Sequence, residues 1–164
     1  MSINIKSEVQ SIKKSIIDNR RDFHMHPELG FKEIRTSKII AEKLSGYGLD
    51  VQTEVGKTGV VATLKGNSKG KTIALRADMD ALPIQETGDL PFKSVNDGVM
   101  HACGHDGHIS MLLGAAKILS SMKDEINGTI KFIFQPAEEG GGGARYMIED
   151  GVLDGVDEIY GAHL

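Results

Sequence analysis

One stretch of the chain, Met100–His108, concentrates residue types that bind metal ions. It contains the only cysteine, Cys103, together with three of the six histidines and one aspartate. A thiolate and imidazoles suit a borderline-soft divalent cation. Two glycines allow the backbone to bend sharply there, and apolar residues then recur at the spacing of one helix face from Ile109 to Leu119. The pattern predicts a polar loop that opens a buried helix over residues 107–122.

Other acidic and imidazole side chains each follow a predicted strand; they are Asp78 and Asp80, Glu138 and Glu139, and His163. In open α/β sheets, ligands bind outside the carboxyl ends of the strands. If these strands are parallel, four chain segments therefore deliver thiol, imidazole and carboxylate groups to one edge of the sheet.

Such a cluster has the groups for metal-assisted hydrolysis. Cys103, His105, His163 and one carboxylate would satisfy one metal tightly or two metals with open positions, and a coordinating thiol is deprotonated outright. Of two adjacent glutamates, one can bind metal while its neighbour takes a proton from water and passes it to a leaving amine. This chemistry is the hydrolysis of an amide.

The elements that must position these groups alternate along the chain. Apolar spacing predicts helices over 5–21, 32–45, 107–122 and 144–150, and strands over 51–55, 60–65, 72–77, 129–135 and 158–162. Residues 66–70 are predicted to form a turn and 78–99 a long loop. The alternation predicts an α/β fold, a three-layer sandwich with a mostly parallel or mixed sheet.

Composition narrows the class of protein. A chain of 164 residues, with 40% hydrophobic and 26% charged residues, fits one globular domain. The net charge of −4 gives no basic surface for nucleic acid. One cysteine favours a reducing compartment, and the sequence shows neither a signal peptide nor an apolar run that could span a bilayer. The expectation is a cytoplasmic protein with no nucleic-acid or membrane partner.

Several motifs together resemble a known family. They are His26–Gly30, Arg76–Pro83, Met100–His108, Gln135–Gly140 and Gly161–His163. In this order they are similar to the M20 metallopeptidase clan, in the branch of N-acyl-amino-acid amidohydrolases and hippurate hydrolases. The resemblance implies a fold of the phosphorylase/hydrolase-like zinc-peptidase type and a site for two divalent metal ions, manganese or zinc.

The resemblance also implies a role for each site residue. Cys103 would bridge the metals, and the further metal ligands would be His105, Glu139 and His163. Glu138 would be the general base, and Asp80 would orient a metal-binding or catalytic group. No substrate-binding residue is assigned.

Family members continue beyond the last of these motifs. The resemblance implies that residues 1–164 are the N-terminal part of the metallohydrolase catalytic domain. The resemblance further implies that this chain lacks a lid or dimerisation domain and the C-terminal part of the catalytic domain, which brings a final histidine ligand. Part of the sheet would then be uncovered, so association, including a homo-oligomer, is expected.

The remaining polar residues have simpler interpretations. His24 and His26 sit near Pro27, away from the predicted strand ends, and are not expected to bind metal. His108 is expected to hydrogen-bond its neighbours. Asp78 either caps the loop or belongs to the site, and His101 either supports the loop or touches substrate.

The predicted function is metal-dependent cleavage of the amide bond of N-acyl amino acids, which are small-molecule substrates. One alternative is a non-catalytic metal-binding fragment, or a subunit that needs the missing half from another chain. The other is a dipeptidase of the same clan.

Overall fold

The computed structural model describes residues 4–164 of the chain. The helices are α1 (Ile5–Met25), α2 (Ile34–Gly46), α3 (His105–Ser121) and α4 (Gly143–Glu149), with a short 3₁₀ helix at Lys123–Glu125. The strands are β1 (Asp50–Val55), β2 (Gly59–Lys65), β3 (Ser68–Asp78), β4 (Asn127–Gln135) and β5 (Glu158–Gly161). Among the described residues, no helix combines the length and the apolar character that crossing a bilayer requires.

The five strands form one mixed sheet in the order β1-β2-β4-β3-β5. The three strands β4, β3 and β5 are parallel, and β2 and β1 add to β4 as an antiparallel hairpin. Asp78 pairs with Gln135, and Arg76 pairs with both Ile133 and Gly161. The carboxyl ends of β3, β4 and β5 therefore lie together, and the predicted mixed α/β fold is confirmed.

Helices cover both faces of the sheet because side chains alternate along each strand. Phe132 and Phe134 of β4 point into the larger core, with Phe23, Ile40 and Leu113 from the helices. The intervening residue of β4 points the other way, into a smaller cluster that holds α4 and the segment after it; its buried members are Val61, Ala74, Ile133, Met147 and Val152. The result is three layers, with α1, α2 and α3 on one side and α4 on the other.

Helix α3 begins two residues before the predicted start, at His105. Gly104 precedes it with a left-handed φ of 84°, a conformation that favours glycine. This turn brings His105 into the first turn of a helix that is buried on most sides, including Ile109 and Leu113. The imidazole is thereby held on a rigid element.

Two other boundaries differ from the prediction by four residues. α1 continues past Arg21 to Met25, because Phe23 and His24 are buried and hold its last turn. β3 begins at Ser68, within the predicted turn, because this residue already pairs with Asn127 of β4. Neither difference moves a site residue.

Candidate functional site

Four segments meet at the carboxyl edge of the parallel strands. Asp80 follows β3, Glu138 and Glu139 follow β4, and His163 follows β5. His105 enters from the first turn of α3. This arrangement agrees with the expectation that parallel strand ends gather the polar side chains at one edge.

His105 lies at the centre of the cluster and is 1% exposed. Its Nδ1 donates a hydrogen bond of 2.8 Å to the backbone carbonyl of Asp80, and the Asp80 carboxylate oxygen Oδ1 lies 3.3 Å from the same nitrogen. Because Nδ1 carries the proton, Nε2 keeps its lone pair, and this buried atom has no hydrogen-bond partner. A nitrogen oriented and stripped of water in this way is typical of a metal ligand.

The charge around His105 is negative. Its Nε2 lies 3.6 Å from Oδ1 of Asp78 and 3.8 Å from Oε1 of Glu139. Burial lowers the pKa of His105, but the hydrogen bond to Asp80 and the charges of Asp78 and Asp80 outweigh burial, so the pKa is raised. The same negative charges would attract a metal cation.

Cys103 and His163 face each other beside His105. The Cys103 Sγ lies 3.4 Å from Nε2 of His163, whose Nδ1 donates to the Leu164 carbonyl at 2.8 Å. The Glu139 carboxylate beside the thiol, together with burial, raises the pKa of Cys103 to about 11. The thiol is therefore protonated in the metal-free protein, and a bound cation would displace its proton.

Glu138 and Glu139 lie on the turn that follows β4. Both residues are exposed, and their carboxylates come within 4.8 Å of a ring nitrogen of His105 and of each other. The backbone N–H of Glu139 donates to Oδ2 of Asp80 at 2.9 Å. Asp80 thus contacts both the histidine and the turn that carries the glutamates.

The Asp80 carboxylate is held in its charged form. Burial raises the pKa of Asp80, but hydrogen bonds from His105 and from the backbone of Glu139 and Glu138 outweigh burial, so the pKa is lowered. An ionised acceptor at this point favours the Nδ1–H form of His105.

Among residues 4–164, three groups of side chains are close enough to hold a metal ion, and His105 belongs to all of them. The groups are Cys103, His105 and His163; His105, Glu138 and Glu139; and Asp78, His105 and His108. In the last group, Asp78 already accepts hydrogen bonds of 2.6 Å from both Arg76 and His108. Nε2 of His108 accepts the Leu164 N–H at 3.0 Å.

Asp78 and His108 are therefore already satisfied by protein partners. His108 hydrogen-bonds its neighbours as expected, and the buried Asp78 holds His108 and Arg76 beside the site. The remaining members of these groups are Cys103, His105, His163, Glu138 and Glu139. Among them, Cys103 Sγ and His163 Nε2 contact each other inside the cluster. Sulfur, imidazole nitrogen and carboxylate oxygen form a donor set that fits a borderline divalent ion such as zinc.

The other histidines lie outside these groups. His24 is buried between carboxylates, with Nδ1 3.0 Å from Asp106 and Nε2 3.2 Å from Glu86. Nδ1 of His26 donates to the Asp22 carbonyl at 2.9 Å. His101 is 4% exposed with both ring nitrogens unpartnered, and burial lowers its pKa to about 4. Its burial fits loop support rather than contact with substrate.

Sequence reasoning missed two glutamates that support the site from a distance. Glu28 accepts the backbone N–H groups of Arg35 and Thr36 and so caps the start of α2. Glu33 accepts the N–H of Ala137, which lies 104 residues away along the chain. No spacing pattern signals a contact over that separation.

Residues 74–164 match the sequence family described as Peptidase family M20/M25/M40, and this segment is more than half of the chain. Thermostable carboxypeptidase 2 of Saccharolobus solfataricus is 55% identical over 163 residues, which cover 98% of this chain and 42% of that protein. The N-acyl-L-amino acid amidohydrolase of Geobacillus stearothermophilus is 51% identical over 161 residues, which cover 98% of this chain and 44% of that protein.

A solved structure of another protein is also similar to this chain. The YXEP protein of Bacillus subtilis, described as a dinuclear metal binding peptidase from the M20 family, superposes with a TM-score of 0.90 at 48% identity. The match covers 94% of this chain and 44% of that one. The chain spans 42% to 44% of the length of the relatives described here. By its sequence match over residues 74–164, the chain belongs to peptidase family M20/M25/M40.

Proposed function

We propose that this chain carries the metal site of an amidohydrolase that cleaves the amide bond of N-acyl amino acids. The observation that carries the proposal is the meeting of a thiol, two imidazoles and two carboxylates at one place, where Nε2 of His105 is buried without a partner. Side chains of these types, gathered from separate loops, form the common constellation for metal-assisted hydrolysis. The name of the Geobacillus stearothermophilus relative supports the substrate class.

The donor set suits two divalent ions, zinc or manganese. The residues that would hold them are Cys103, His105, Glu139 and His163. The Bacillus subtilis YXEP protein, described as dinuclear metal binding, supports a site for two ions. When bound, such ions polarise the amide carbonyl and lower the pKa of water.

The protein's own groups would move the protons. Glu138 is exposed and adjacent to Glu139, so its carboxylate can take a proton from water and give it to the leaving amine. Asp80 acts through its neighbours: it fixes the His105 tautomer and holds the backbone of Glu139. We therefore assign Glu138 as the catalytic base and Asp80 as a positioning residue.

Peptide hydrolysis is the second candidate function. The carboxypeptidase name of a 55% identical relative favours it, and the same groups would cleave a peptide as they cleave an N-acyl bond. The two candidates differ in what occupies the acyl side of the scissile bond, an acetyl or benzoyl group in one case and an amino acid in the other.

A third candidate concerns the 164-residue chain by itself. Because it spans 42% to 44% of the length of the relatives described above, it would by itself bind metal but lack turnover. It would then be a metal-binding fragment, or a subunit completed by another chain. Cytoplasmic location remains a prediction from the single cysteine.

One experiment separates these candidates. The chain is loaded with Zn²⁺ or Mn²⁺, its metal content is measured by elemental analysis, and release of free amino acid is followed from N-acetyl amino acids and from dipeptides. Faster release from N-acetyl amino acids supports the amidohydrolase, and faster release from dipeptides supports the peptidase. Bound metal without release from either supports the fragment, and a chain that binds no metal contradicts the proposal.

A further inference from the structure

The turn that carries Glu138 and Glu139 begins with a strained residue. Ala137 has a left-handed φ of 48°, a conformation that side chains with a Cβ avoid. It is 1% exposed and immediately precedes the two glutamates. A residue keeps such a conformation only where its surroundings impose it, and strain of this kind concentrates at functional sites.

Glu33 is one of the residues that hold Ala137 in this left-handed conformation. This residue is fully buried at 0% exposure and lies at the start of α2. Its Oε1 accepts the N–H of Ala137 at 2.9 Å, and its Oε2 accepts the hydroxyl of Thr58 at 2.6 Å. A buried carboxylate is expensive to keep unless both oxygens are hydrogen-bonded. Here one oxygen is directed at the strained turn.

Close backbone packing holds Ala137 from its other sides. A Cβ added to Gly30 would lie 2.9 Å from the Cβ of Ala137, and one added to Gly141 would lie 2.6 Å from the same atom. On the far side of the turn, Asp80 holds the N–H of Glu139. The turn is therefore held at Ala137 by Glu33 and at Glu139 by Asp80.

We propose that Glu33 is a positioning residue for the Glu138–Glu139 pair, acting through its hydrogen bond to the backbone of Ala137. The inference rests on the proposed function, in which these glutamates serve as base and metal ligand. A purely structural role would instead anchor the loop between β1 and β2 through Thr58. The two bonds of one carboxylate can be tested separately.

Three substitutions make the comparison. Glu33→Leu removes both hydrogen bonds at similar volume. Thr58→Val removes only the bond on the Thr58 side. Glu33→Gln is the conservative variant, because its amide oxygen can accept the Ala137 N–H while its NH₂ donates to the Thr58 hydroxyl.

Two readouts are measured on the 164-residue chain: the Co²⁺ dissociation constant by spectroscopic titration, and the exchange rate of the Glu139 amide relative to the amides of β4 by NMR. Loss of a residue that orients a metal ligand typically weakens metal binding by about tenfold or more. For Glu33→Leu we expect that loss in affinity and about tenfold faster exchange at Glu139. For Thr58→Val and Glu33→Gln we expect both values within about threefold of the wild type.

The inference is overturned if Glu33→Leu leaves both readouts unchanged, or if Thr58→Val alters them as much as Glu33→Leu does. If the wild-type chain binds no Co²⁺, the proposed function fails, and the amide exchange alone decides whether Glu33 holds the turn. If Glu33→Leu does not fold, Glu33→Asp takes its place, because its shorter side chain draws the carboxylate away from the Ala137 N–H. Unchanged exchange at Glu139 in that variant would also overturn the inference.

Discussion

At the scale of single residues, the capacity to bind a cation depends on what each donor atom is already bonded to. His105 Nε2 is buried without a partner, whereas both oxygens of Asp78 and both nitrogens of His108 are engaged. Proximity alone would have placed Asp78, His105 and His108 in one metal group. The hydrogen bonds already made separate the groups that can accept a cation from those that support them.

The role of Glu138 gives the first prediction. Glu138→Gln removes the carboxylate that takes the proton but keeps the size of the side chain, so kcat for amide hydrolysis should fall by about 10²-fold or more. Metal content, measured by elemental analysis, should stay near the wild-type value. The control is Glu149→Gln, since Glu149 is an exposed acid that pairs with Arg145 on α4. Wild-type activity in Glu138→Gln would refute the assigned role.

The state of Cys103 gives the second prediction. Because its pKa is about 11 without metal, metal binding below that pH must release the thiol proton, and affinity should rise with pH. Calorimetry of Zn²⁺ binding near neutral pH, in buffers of different ionisation enthalpy, counts the protons released. The count should fall by about one in Cys103→Ala. An unchanged count would mean that the thiolate is not a ligand.

At the scale of elements, most of the site could be predicted because its residues follow strand ends. Asp80, Glu138, Glu139 and His163 each come after a short apolar run that forms β3, β4 or β5. Apolar periodicity also predicted α3, although Gly104 and Gly107 obscured its first turn.

The sheet order and the support from α2 could not be predicted in the same way. The insertion of β4 between β2 and β3 is a long-range choice that no local pattern encodes. The left-handed Ala137 carries no sequence signal, because alanine is not a residue expected at positive φ. Contacts such as Glu33 with Ala137 become visible only once the elements are packed.

The packing of α1 gives a stability prediction. His24 bridges Asp106 of α3 and Glu86 of the long loop, and all three side chains are at most 7% exposed. Removing one partner of a buried ion pair typically costs about 3–5 kcal/mol. We therefore expect His24→Ala to lower the free energy of unfolding, measured with urea, by a similar amount. His26→Ala, which breaks one bond at a half-buried position, should lose about 1 kcal/mol. Equal losses in the two variants would contradict this interpretation.

The contact between His24 and Asp106 also predicts that the free energy of unfolding depends on pH. The hydrogen bond to Asp106 raises the pKa of His24 despite burial, with Glu86 adding to the effect. Arg20 also faces Asp106, and the neutral His101 lies nearby. Because the folded pKa lies above 6.5, the stabilisation from charged His24 is complete below pH 6.5 and is lost as pH rises through the folded value. Urea unfolding from about pH 6 to about pH 9 should show a steeper decline in the wild type than in His24→Gln, in which the raised pKa of His105 still contributes.

At the scale of the whole molecule, the sheet ends in an exposed edge. β5 is the last strand in the order, and its Ile159 and Tyr160 are 49% and 54% exposed. An edge strand with apolar side chains is a template for association. The chain also spans less than half the length of the relatives described above.

Self-association through this edge is therefore the prediction for the 164-residue chain. Sedimentation velocity should show an average mass that rises with concentration, and Ile159→Lys should reduce it by placing a charge on the edge strand. Val95→Lys is the control, because Val95 is exposed on the loop between β3 and α3. A wild-type chain that stays monomeric at all concentrations would contradict the expectation of a homo-oligomer.

The proposed function depends above all on whether Cys103, His105, Glu139 and His163 share a cation, and a Co²⁺ titration of the 164-residue chain tests this most directly. We expect at least one tightly bound equivalent, with a sulfur-to-cobalt charge-transfer band that disappears in Cys103→Ser, and much weaker binding in His105→Ala. No bound Co²⁺, or binding with the same spectrum and affinity in both variants, would contradict the shared site.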